Sequence, residues 1–241
     1  THQMAEAFSF NPGMCGCWRY GERPEDHQNA IRFFQFYHQY KKYQTQQSSL
    51  AQVGIYLENE SLTYSQLDAL MALCSITQLL QEECIPFNLL YEKDLDRLDQ
   101  YRAIIVAEMP CLKTRQADKL SNWVKAGGGL FTIGSTGIRD DYYRLRRKVK
   151  TIDTLEALFQ SGEPETVFTR LTGEDGTRDY VKPVGAGTIA HLTRLEYEDR
   201  PRPGDPGEWN IRPELINCPA NSDKVMEIIQ TLLPTRQLTV D

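Results

Sequence analysis

The chain has 241 residues, with 27 lysines and arginines against 33 aspartates and glutamates, which gives a formal net charge of −6. This acidic balance argues against nucleic-acid binding through the net field, and a composition that is 40% hydrophobic and 25% charged excludes wholesale disorder. No uncharged apolar run approaches the roughly 20 residues that cross a bilayer, and the first residues lack the basic start and apolar core of a signal peptide.

The first part of the chain is rich in glycine and aromatic residues, and it predicts a short strand at Ala7–Phe10 followed by an irregular loop. Pro24-Glu25-Asp26 then predicts the start of a helix, because proline suits the first turn and acids favour the positive end of the helix dipole. The helix would run to about Tyr43, and its aromatic face would consist of Phe33, Phe34, Tyr37 and Tyr40. This face packs within its own domain, or it meets another domain or subunit.

Strands and helices alternate from Val53 onward. Strands are predicted at 53–57, 85–91, 101–107 and 130–133, and helices at 67–80, capped by Ser65 or Thr63, and at 114–125, ending at Gly127-Gly128-Gly129. Apolar strands separated by helices of this length indicate a parallel sheet with helices on both faces. Farther along, the patterns predict a charged loop at 139–150, a short helix at 152–159, strands at 167–171, 180–184 and 188–192, and a last helix between Pro219 and Pro234.

The candidate functional residues follow the strands, since ligands of open parallel sheets lie beyond the carboxyl ends of the strands. They are Glu58, Asn59 and Glu60 after the first strand, Glu108, Met109 and Pro110 after the third, and Gly134-Ser135-Thr136-Gly137 after the fourth. The last group has the form of a nucleophile elbow, for which Ser135 would need a histidine in reach. His191 falls inside a predicted strand, so a tight turn without chemistry is the favoured interpretation.

Three further patterns have ordinary explanations. Gly185-Ala186-Gly187 resembles the start of a phosphate loop, but the motif is incomplete and no helix follows, so a hairpin turn is predicted. The basic run from Arg144 to Lys150, with Tyr142 and Tyr143 beside it, predicts a solvated or subunit-facing loop, and an anion site is the alternative. Spacing alone does not identify a pair of catalytic carboxylates among the available acids, which are Glu58, Glu60, Glu108, Asp140 and Asp141.

The six cysteines do not have metal-ligand spacing. Cys15-Gly16-Cys17 has one residue between its thiols, where zinc sites usually have about two to four, and only His27 lies nearby. Cys74, Cys84 and Cys111 are placed like small buried hydrophobic residues. We therefore predict no metal and no cofactor, and a reduced, cytoplasmic compartment.

The stretch Tyr101–Lys150 resembles the glutamine-amidotransferase-like domain, usually called the trimerisation domain, of family 42 beta-galactosidases. The matching features are the strand 101–107, the glycine turn after Trp123, the group Gly134–Gly137 and the loop that follows it. A hairpin at 184–189 and the helix after Pro219 also look like family elements, so the likeness extends over about residues 24–235. It implies a flavodoxin-like three-layer sandwich with a mostly parallel sheet, of the class I glutamine amidotransferase type.

Active amidotransferases carry a cysteine at the elbow, and the alignment of the strand 130–133 brings Gly134 to that position, with Ser135 beside it. A glycine has no side chain to attack a carbonyl, so the resemblance implies a domain without a catalytic residue of its own. In that family a catalytic (β/α)8 barrel precedes the domain and a small β domain follows it. The resemblance therefore implies four segments: an arm from the end of a barrel at 1–23, a linker helix and connector at 24–52, the amidotransferase-like domain at 53–235, and the opening of a β domain at 236–241.

We expect from this resemblance a non-catalytic oligomerisation or accessory domain of a multi-domain glycoside hydrolase of carbohydrate metabolism. Its partners would be further copies of the chain, three in all by resemblance, and a catalytic barrel, with no nucleic acid and no membrane. Two alternatives remain open. One is a hydrolase or amidotransferase-like enzyme that uses Ser135 or Glu108, and the other is a sugar- or small-molecule-binding module that uses the crevice near Glu58, Glu108 and Ser135.

Overall fold

The computed structural model describes residues 24–40, 49–140, 142–144, 176–197 and 218–233, and the chain divides into two compact units, 1–50 and 51–241. The first unit contains helix α1, Pro24–Tyr40, which confirms the predicted helix over these residues. Ile31, Phe34, Phe36 and Tyr40 are exposed on it. The strand predicted at 7–10 and the last residues of the predicted helix, 41–43, lie outside the described residues.

In the second unit the described residues form a six-stranded sheet with the order β2-β1-β3-β4-β6-β5. The first five strands in this order are parallel, and β5 pairs with β6 in the antiparallel direction at one edge. The strands are β1 Val53–Tyr56, β2 Phe87–Leu90, β3 Ala103–Ala107, β4 Gly129–Ile133, β5 Tyr180–Val184 and β6 Gly187–Leu192. Every residue of β1, β3 and β4 is buried, as expected for strands that are covered on both faces.

The described residues of this unit form four α-helices: α2 Asn59–Tyr64, α3 Gln66–Glu82, α4 Thr114–Lys125 and α5 Ser222–Leu232. The chain steps from β1 to β2 in one direction and from β3 to β4 in the other. Right-handed crossovers in opposite directions place α3 and α4 on opposite faces of the sheet. The result is a flavodoxin-like three-layer α/β sandwich, which confirms the predicted fold class.

One glycine turn ends α4, and another connects β5 to β6. After α4 the backbone N–H of Gly128 donates to the Trp123 carbonyl at 3.1 Å, and Gly127 has a φ of +122°, so the predicted glycine stop is confirmed. Gly185 has a φ of +62° between β5 and β6, and the predicted hairpin turn is confirmed as well. The glycine pair 185/187 is thus a strand connection and not a phosphate loop.

The structure differs from the sequence-based prediction between β1 and β3. Helix α2 and two 3-10 turns, Glu92–Asp96 and Leu98–Gln100, were not predicted. Ser65 stands at the N-cap position of α3 but makes no side-chain capping bond, and the Thr63 hydroxyl donates to the Asn59 carbonyl at 2.9 Å within α2. Ser65 is thus the N-cap residue of α3, as predicted, but its side chain makes no capping bond, and the alternative cap Thr63 is wrong. The helix predicted at 152–159 and the strand predicted at 167–171 lie outside the described residues.

Candidate functional site

The carboxyl ends of β1, β3 and β4 lie next to one another, as their adjacent positions in the strand order require. We call this end of the sheet the carboxyl edge. Their loops are tied together across this edge. The Cys111 amide donates to the Ser61 hydroxyl at 2.9 Å, and the Glu108 amide donates to the Ile133 carbonyl at 2.9 Å. The three predicted groups of candidate residues, which begin at Glu58, Glu108 and Gly134, therefore lie on one continuous edge.

Glu58 is a buried carboxylate whose hydrogen bonds hold local structure. Its Oε2 accepts from the amides of Glu60 at 2.7 Å and Ser61 at 3.3 Å, which caps α2, and its Oε1 accepts from Gln116 Nε2 at 3.3 Å. Only 3% of the residue is exposed. Burial, with a hydrogen bond to the neighbouring Glu60 carboxyl, raises the pKa of Glu58 to about 7.

Glu60 and Lys113 complete this corner of the edge. Lys113 Nζ lies 2.7 Å from Glu60 Oε1 and 3.6 Å from Glu58 Oε1. The hydrogen bond with Glu58, together with that from Lys113, lowers the pKa of Glu60. The pKa values of the two carboxyls therefore shift in opposite directions. Both oxygens of Glu58 accept hydrogen bonds that cap α2 and link it to α4, and these bonds compensate for the burial of the carboxyl group.

The elbow after β4 is filled by the side chain of Glu108. Gly134 has a φ of +61°, and a Cβ placed on it would overlap the Glu108 carboxyl group, with Oε2 at 2.8 Å and the other carboxyl atoms closer still. Glu108 Oε2 accepts a hydrogen bond from the Ser135 amide at 3.0 Å. Burial raises the pKa of Glu108, and the hydrogen bond from the Ser135 amide opposes this shift.

The Glu108 carboxyl occupies both positions that a nucleophile elbow needs. The nucleophile would extend from residue 134, and the amide of the next residue would serve as an oxyanion-hole donor. Here residue 134 is a glycine, the space beside it holds the Glu108 carboxyl, and the Ser135 amide is already bound to that carboxyl. Glu108 itself has a φ of +51°, an uncommon conformation for a residue with a side chain, so the backbone presents this carboxyl to the elbow under local strain.

The structure does not join Ser135 to His191. Ser135 is exposed, whereas His191 is buried in β6 with Nδ1 3.0 Å from Thr132 Oγ1 and Nε2 3.3 Å from the Gly176 carbonyl. Burial lowers the pKa of this histidine. Cys111 is also buried, and burial raises the pKa of its thiol to about 11, so the thiol stays protonated at neutral pH and is a poor nucleophile.

Beside this edge lies a surface that we call the tyrosine–arginine surface, consisting of Tyr64, Arg139, Tyr142, Tyr143 and Arg144. It is organised by Asp140, which accepts hydrogen bonds from the Tyr142 amide at 3.0 Å, the Arg144 amide at 2.8 Å and Arg144 Nε at 2.7 Å. The Arg139 guanidinium lies 4.2 Å from the centre of the Tyr143 ring. Tyr142 is 75% exposed although its backbone is held in this turn.

Sequence reasoning had singled out the basic run and its tyrosines but not the organising role of Asp140 or the contribution of Tyr64. An aspartate two residues before the amide that it binds is a recognisable turn signal, and it was available in Asp140-Asp141-Tyr142. Tyr64 stacks on Tyr143 with ring centres 5.5 Å apart from a position 79 residues earlier, a contact for which the sequence contains no local signal.

The described residues contain no group of three or more histidine, cysteine, aspartate or glutamate side chains placed to hold a metal ion. Cys15 and Cys17 lie outside the described residues, as does the side chain of His27. Cys74, Cys84, Cys111 and Cys218 are free thiols. Within the same described ranges, none of the helices combines the length and the apolar character that a transmembrane segment requires.

Neither a protein-family model nor a curated protein matches the sequence. Solved structures do match the fold. A beta-galactosidase from Bacillus circulans sp. alkalophilus shares 12% identity and a TM-score of 0.52 over 75% of this chain and 35% of its own. A GH42 beta-galactosidase from G. stearothermophilus matches at 13% identity and a TM-score of 0.42, covering 67% and 31%. A beta-galactosidase from Rahnella sp. R3 matches at 11% and 0.46, covering 69% and 32%.

Of these three structures, the beta-galactosidase from Bacillus circulans sp. alkalophilus has a TM-score above 0.5. It establishes that this chain has the fold of one part of a beta-galactosidase, and it confirms at the level of the fold the resemblance that the motifs indicate. The chain spans about a third of the length of that enzyme, since the match covers 35% of it.

Proposed function

We propose that this chain is the non-catalytic assembly domain of a multi-domain glycoside hydrolase of the beta-galactosidase type. The observation that carries the proposal is the Glu108 carboxyl at the elbow, which fills the space beside Gly134 and binds the Ser135 amide. Acyl-transfer chemistry needs a nucleophile and a free oxyanion donor at this place. The partial coverage of the beta-galactosidase from Bacillus circulans sp. alkalophilus supports a role as one domain among several.

Assembly requires a surface that a partner can bury, and the tyrosine–arginine surface has the composition for it. Tyrosine and arginine are among the residues that most often supply the binding energy of protein interfaces. The Asp140 turn fixes the backbone of residues 142 to 144, so less conformational entropy is lost when Tyr142 is buried. Arg144 lies 5.2 Å from the centre of the Tyr142 ring and stiffens the same surface.

Helix α1 offers a second surface of this kind in the other unit. Phe34 is 38% and Phe36 is 46% exposed, and Phe36 and Tyr40 contact each other with ring centres 4.6 Å apart. Side chains of this size gain roughly 1.5–3 kcal/mol each when they are fully buried. Of the two interpretations of this helix, the proposal favours contact with another domain or subunit.

The partners follow from the same proposal. They are further copies of this chain, three in all by the family resemblance, and a catalytic (β/α)8 barrel of which residues 1–23 would be the end. Residues 24–52 would link the barrel to the amidotransferase-like domain at 53–235, and 236–241 would open a following β domain. A cytoplasmic location is part of the proposal, supported by the free thiols of Cys74, Cys84, Cys111 and Cys218.

Sedimentation velocity on the full chain tests the assembly role. The wild type should self-associate, and Tyr142→Ser should weaken this association about thirtyfold, which corresponds to about 2 kcal/mol for a hot-spot residue. Replacing Phe34 and Phe36 by serine should have an effect of similar size. Leu89→Ser, an exposed residue on the edge strand β2, is the matched control and should leave the association unchanged.

Two results would overturn the proposal. One is a wild-type chain that stays monomeric, or an oligomer that survives both sets of substitutions. The other is catalysis: turnover of 4-nitrophenyl acetate or 4-nitrophenyl β-D-galactoside by the purified chain, abolished by Ser135→Ala or Glu108→Gln. The second result would establish the enzyme alternative at the strand ends.

A further inference from the structure

We infer that the amino ends of the strands, opposite to the carboxyl edge, form a binding site for a neutral saccharide. This site is separate from the assembly role proposed above. A cavity of about 570 Å³ lies where β1, β3 and β4 begin, and it is lined by Gln52, Asp99, Gln100, Arg102 and the aromatic side chains Tyr101 and Trp123. This volume is within the roughly 300–1,000 Å³ of small-molecule sites.

The wall of the cavity is fixed by backbone hydrogen bonds. The Gln52 carbonyl accepts from the Arg102 amide at 2.8 Å, and the Arg102 carbonyl accepts from the Gly129 amide at 2.9 Å. The turn that follows Trp123 is closed by the Gly128 amide. These bonds join the starts of β1, β3 and β4, so the side chains that line the cavity stand on rigid backbone and a ligand would meet a formed site.

Trp123 is held in place by a glycine. A Cβ on Gly128 would overlap the six-membered ring of the Trp123 indole, with Cζ2 at 2.6 Å, so one face of the ring packs directly on the Gly128 backbone. Gly127, next to it, has open space where a side chain would be. The indole is therefore immobilised on one side, and its remaining, partly exposed surface lines the cavity. The apolar C–H groups of a pyranose ring pack well on such an immobile aromatic surface.

The polar lining selects a neutral ligand. Asp99 and Arg102 contribute one charge of each sign, and Gln52 and Gln100 contribute amides, so the lining has no net charge to attract an anion or a cation. Asp99 and Arg102 are exposed, and among the described residues no ion pair or side-chain hydrogen bond engages either side chain. Carboxylate, guanidinium and amide groups are the planar donors and acceptors that adjacent sugar hydroxyls can bind in pairs.

A saccharide combines these requirements, since it is uncharged, carries many hydroxyls and has an apolar ring face. Binding would be weak, because Asp99, Gln100 and Arg102 are exposed, and water competes for their hydrogen bonds. We therefore expect a dissociation constant on the order of 1 mM. The candidate crevice at the carboxyl edge, by contrast, is filled by Glu108 and by the hydrogen bonds of Glu58.

Isothermal titration calorimetry on the full chain tests the inference, with methyl β-D-galactoside, methyl α-D-mannoside and lactose as neutral probes and glucuronate and glucosamine as charged ones. Titration to about 100 mM reaches a hundredfold above the expected dissociation constant. At least one neutral probe should bind with saturation. Asp99→Ala and Arg102→Ala should each weaken that binding about tenfold, the size expected for a lost hydrogen bond to a charged group. Arg97→Ala, an exposed arginine outside the cavity, is the matched control and should change nothing.

Trp123 provides a second readout that does not depend on a destabilising substitution. With Trp18 and Trp209 replaced by phenylalanine, Trp123 is the remaining tryptophan, and the bound sugar should change its fluorescence at the same concentrations. The inference is overturned if no neutral probe binds, if only glucuronate or glucosamine binds, or if Asp99→Ala and Arg102→Ala leave the affinity unchanged. None of these results bears on self-association, so the two proposals fail independently.

Discussion

Replacing Gly134 by alanine should destabilise the chain far more when Glu108 is present than when it is absent. Gly134 has a φ of +61°, where a residue with a Cβ costs about 1–2 kcal/mol. The new Cβ would also overlap the Glu108 carboxyl, which must move and give up its bond from the Ser135 amide. A lost hydrogen bond to a charged group adds about 1.5–3 kcal/mol.

The single variant Gly134→Ala should therefore lose about 2.5–5 kcal/mol of unfolding free energy. In a Glu108→Ala background the carboxyl is gone, and the same substitution should cost only the backbone strain of about 1–2 kcal/mol. The difference, about 1.5–3 kcal/mol, is the coupling between the two residues, which a double-mutant cycle isolates. Urea unfolding of the four chains, with equal m-values as the check on compactness, measures it.

Gly127→Ala is the matched control for this cycle. Gly127 also has a positive φ, at +122°, but a Cβ there would have open space, so the substitution adds strain of about 1–3 kcal/mol and nothing else. Its cost should be the same with and without Glu108→Ala. If Gly134→Ala behaves in the same way, with no coupling beyond about 0.5 kcal/mol, then Glu108 does not fill the elbow and the argument for a non-catalytic site loses its basis.

Three further substitutions test other parts of the structure. Gly128→Ala should cost about 1–3 kcal/mol in urea unfolding, because its Cβ would overlap the Trp123 ring; an unchanged midpoint would refute the packing described there. The raised pKa of Glu58 means that the folded state holds its proton more tightly than the unfolded state, so its contribution to stability is present below its ordinary value of 4.5 and is lost as the pH rises toward about 7. Wild-type unfolding should show this loss, at most about 3 kcal/mol and partly offset by Glu60, and Glu58→Gln should flatten it; equal pH profiles would contradict the assignment. Asp140→Ala should release the turn at residues 142–144 and speed trypsin cleavage after Arg144, and an unchanged cleavage rate in limited proteolysis would count against it.

The parts of the fold that the sequence predicts well are those with a long, regular pattern. The buried strand 103–107 is apolar at every position, and α4 carries its apolar residues at helical spacing and ends at three glycines, so its predicted bounds are those of the structure. Helix α2 escaped prediction because six residues show no periodicity. Its cap is a glutamate, a residue that is not among the usual N-caps, and only the folded loop places that carboxyl over the helix start.

The candidate site could be predicted only in part from the sequence. The glycine at the elbow can be predicted from one strand and its turn, but the group that fills the space comes from Glu108, which lies 26 residues earlier, directly after the neighbouring strand β3. The Glu108 side chain reaches the turn after β4 because of the strand register and the positive φ of Glu108, and neither can be read from the sequence. The cavity at the amino ends of the strands is harder still to predict from the sequence, since Gln52, Arg102 and Trp123 come together only through the strand order.

The inferred saccharide site lies at the amino ends of the strands, opposite to the end at which open parallel sheets usually bind ligands, and the polar groups at the carboxyl ends supply a physical reason. In open parallel sheets the carboxyl ends of the strands hold the ligand because loops and helix starts converge there with unsatisfied polar groups. In this chain those groups are satisfied internally: Glu58 takes the amides of α2, and Glu108 takes the amide of Ser135. A ligand at the carboxyl edge would have to displace hydrogen bonds to buried carboxyl groups, each worth about 0.5–3 kcal/mol depending on whether the carboxyl is neutral or charged, before it made any of its own. At the amino ends of the strands the side chains of Asp99 and Arg102 are exposed and make no ion pair or side-chain hydrogen bond with the described residues, so a ligand that binds them displaces no such bond.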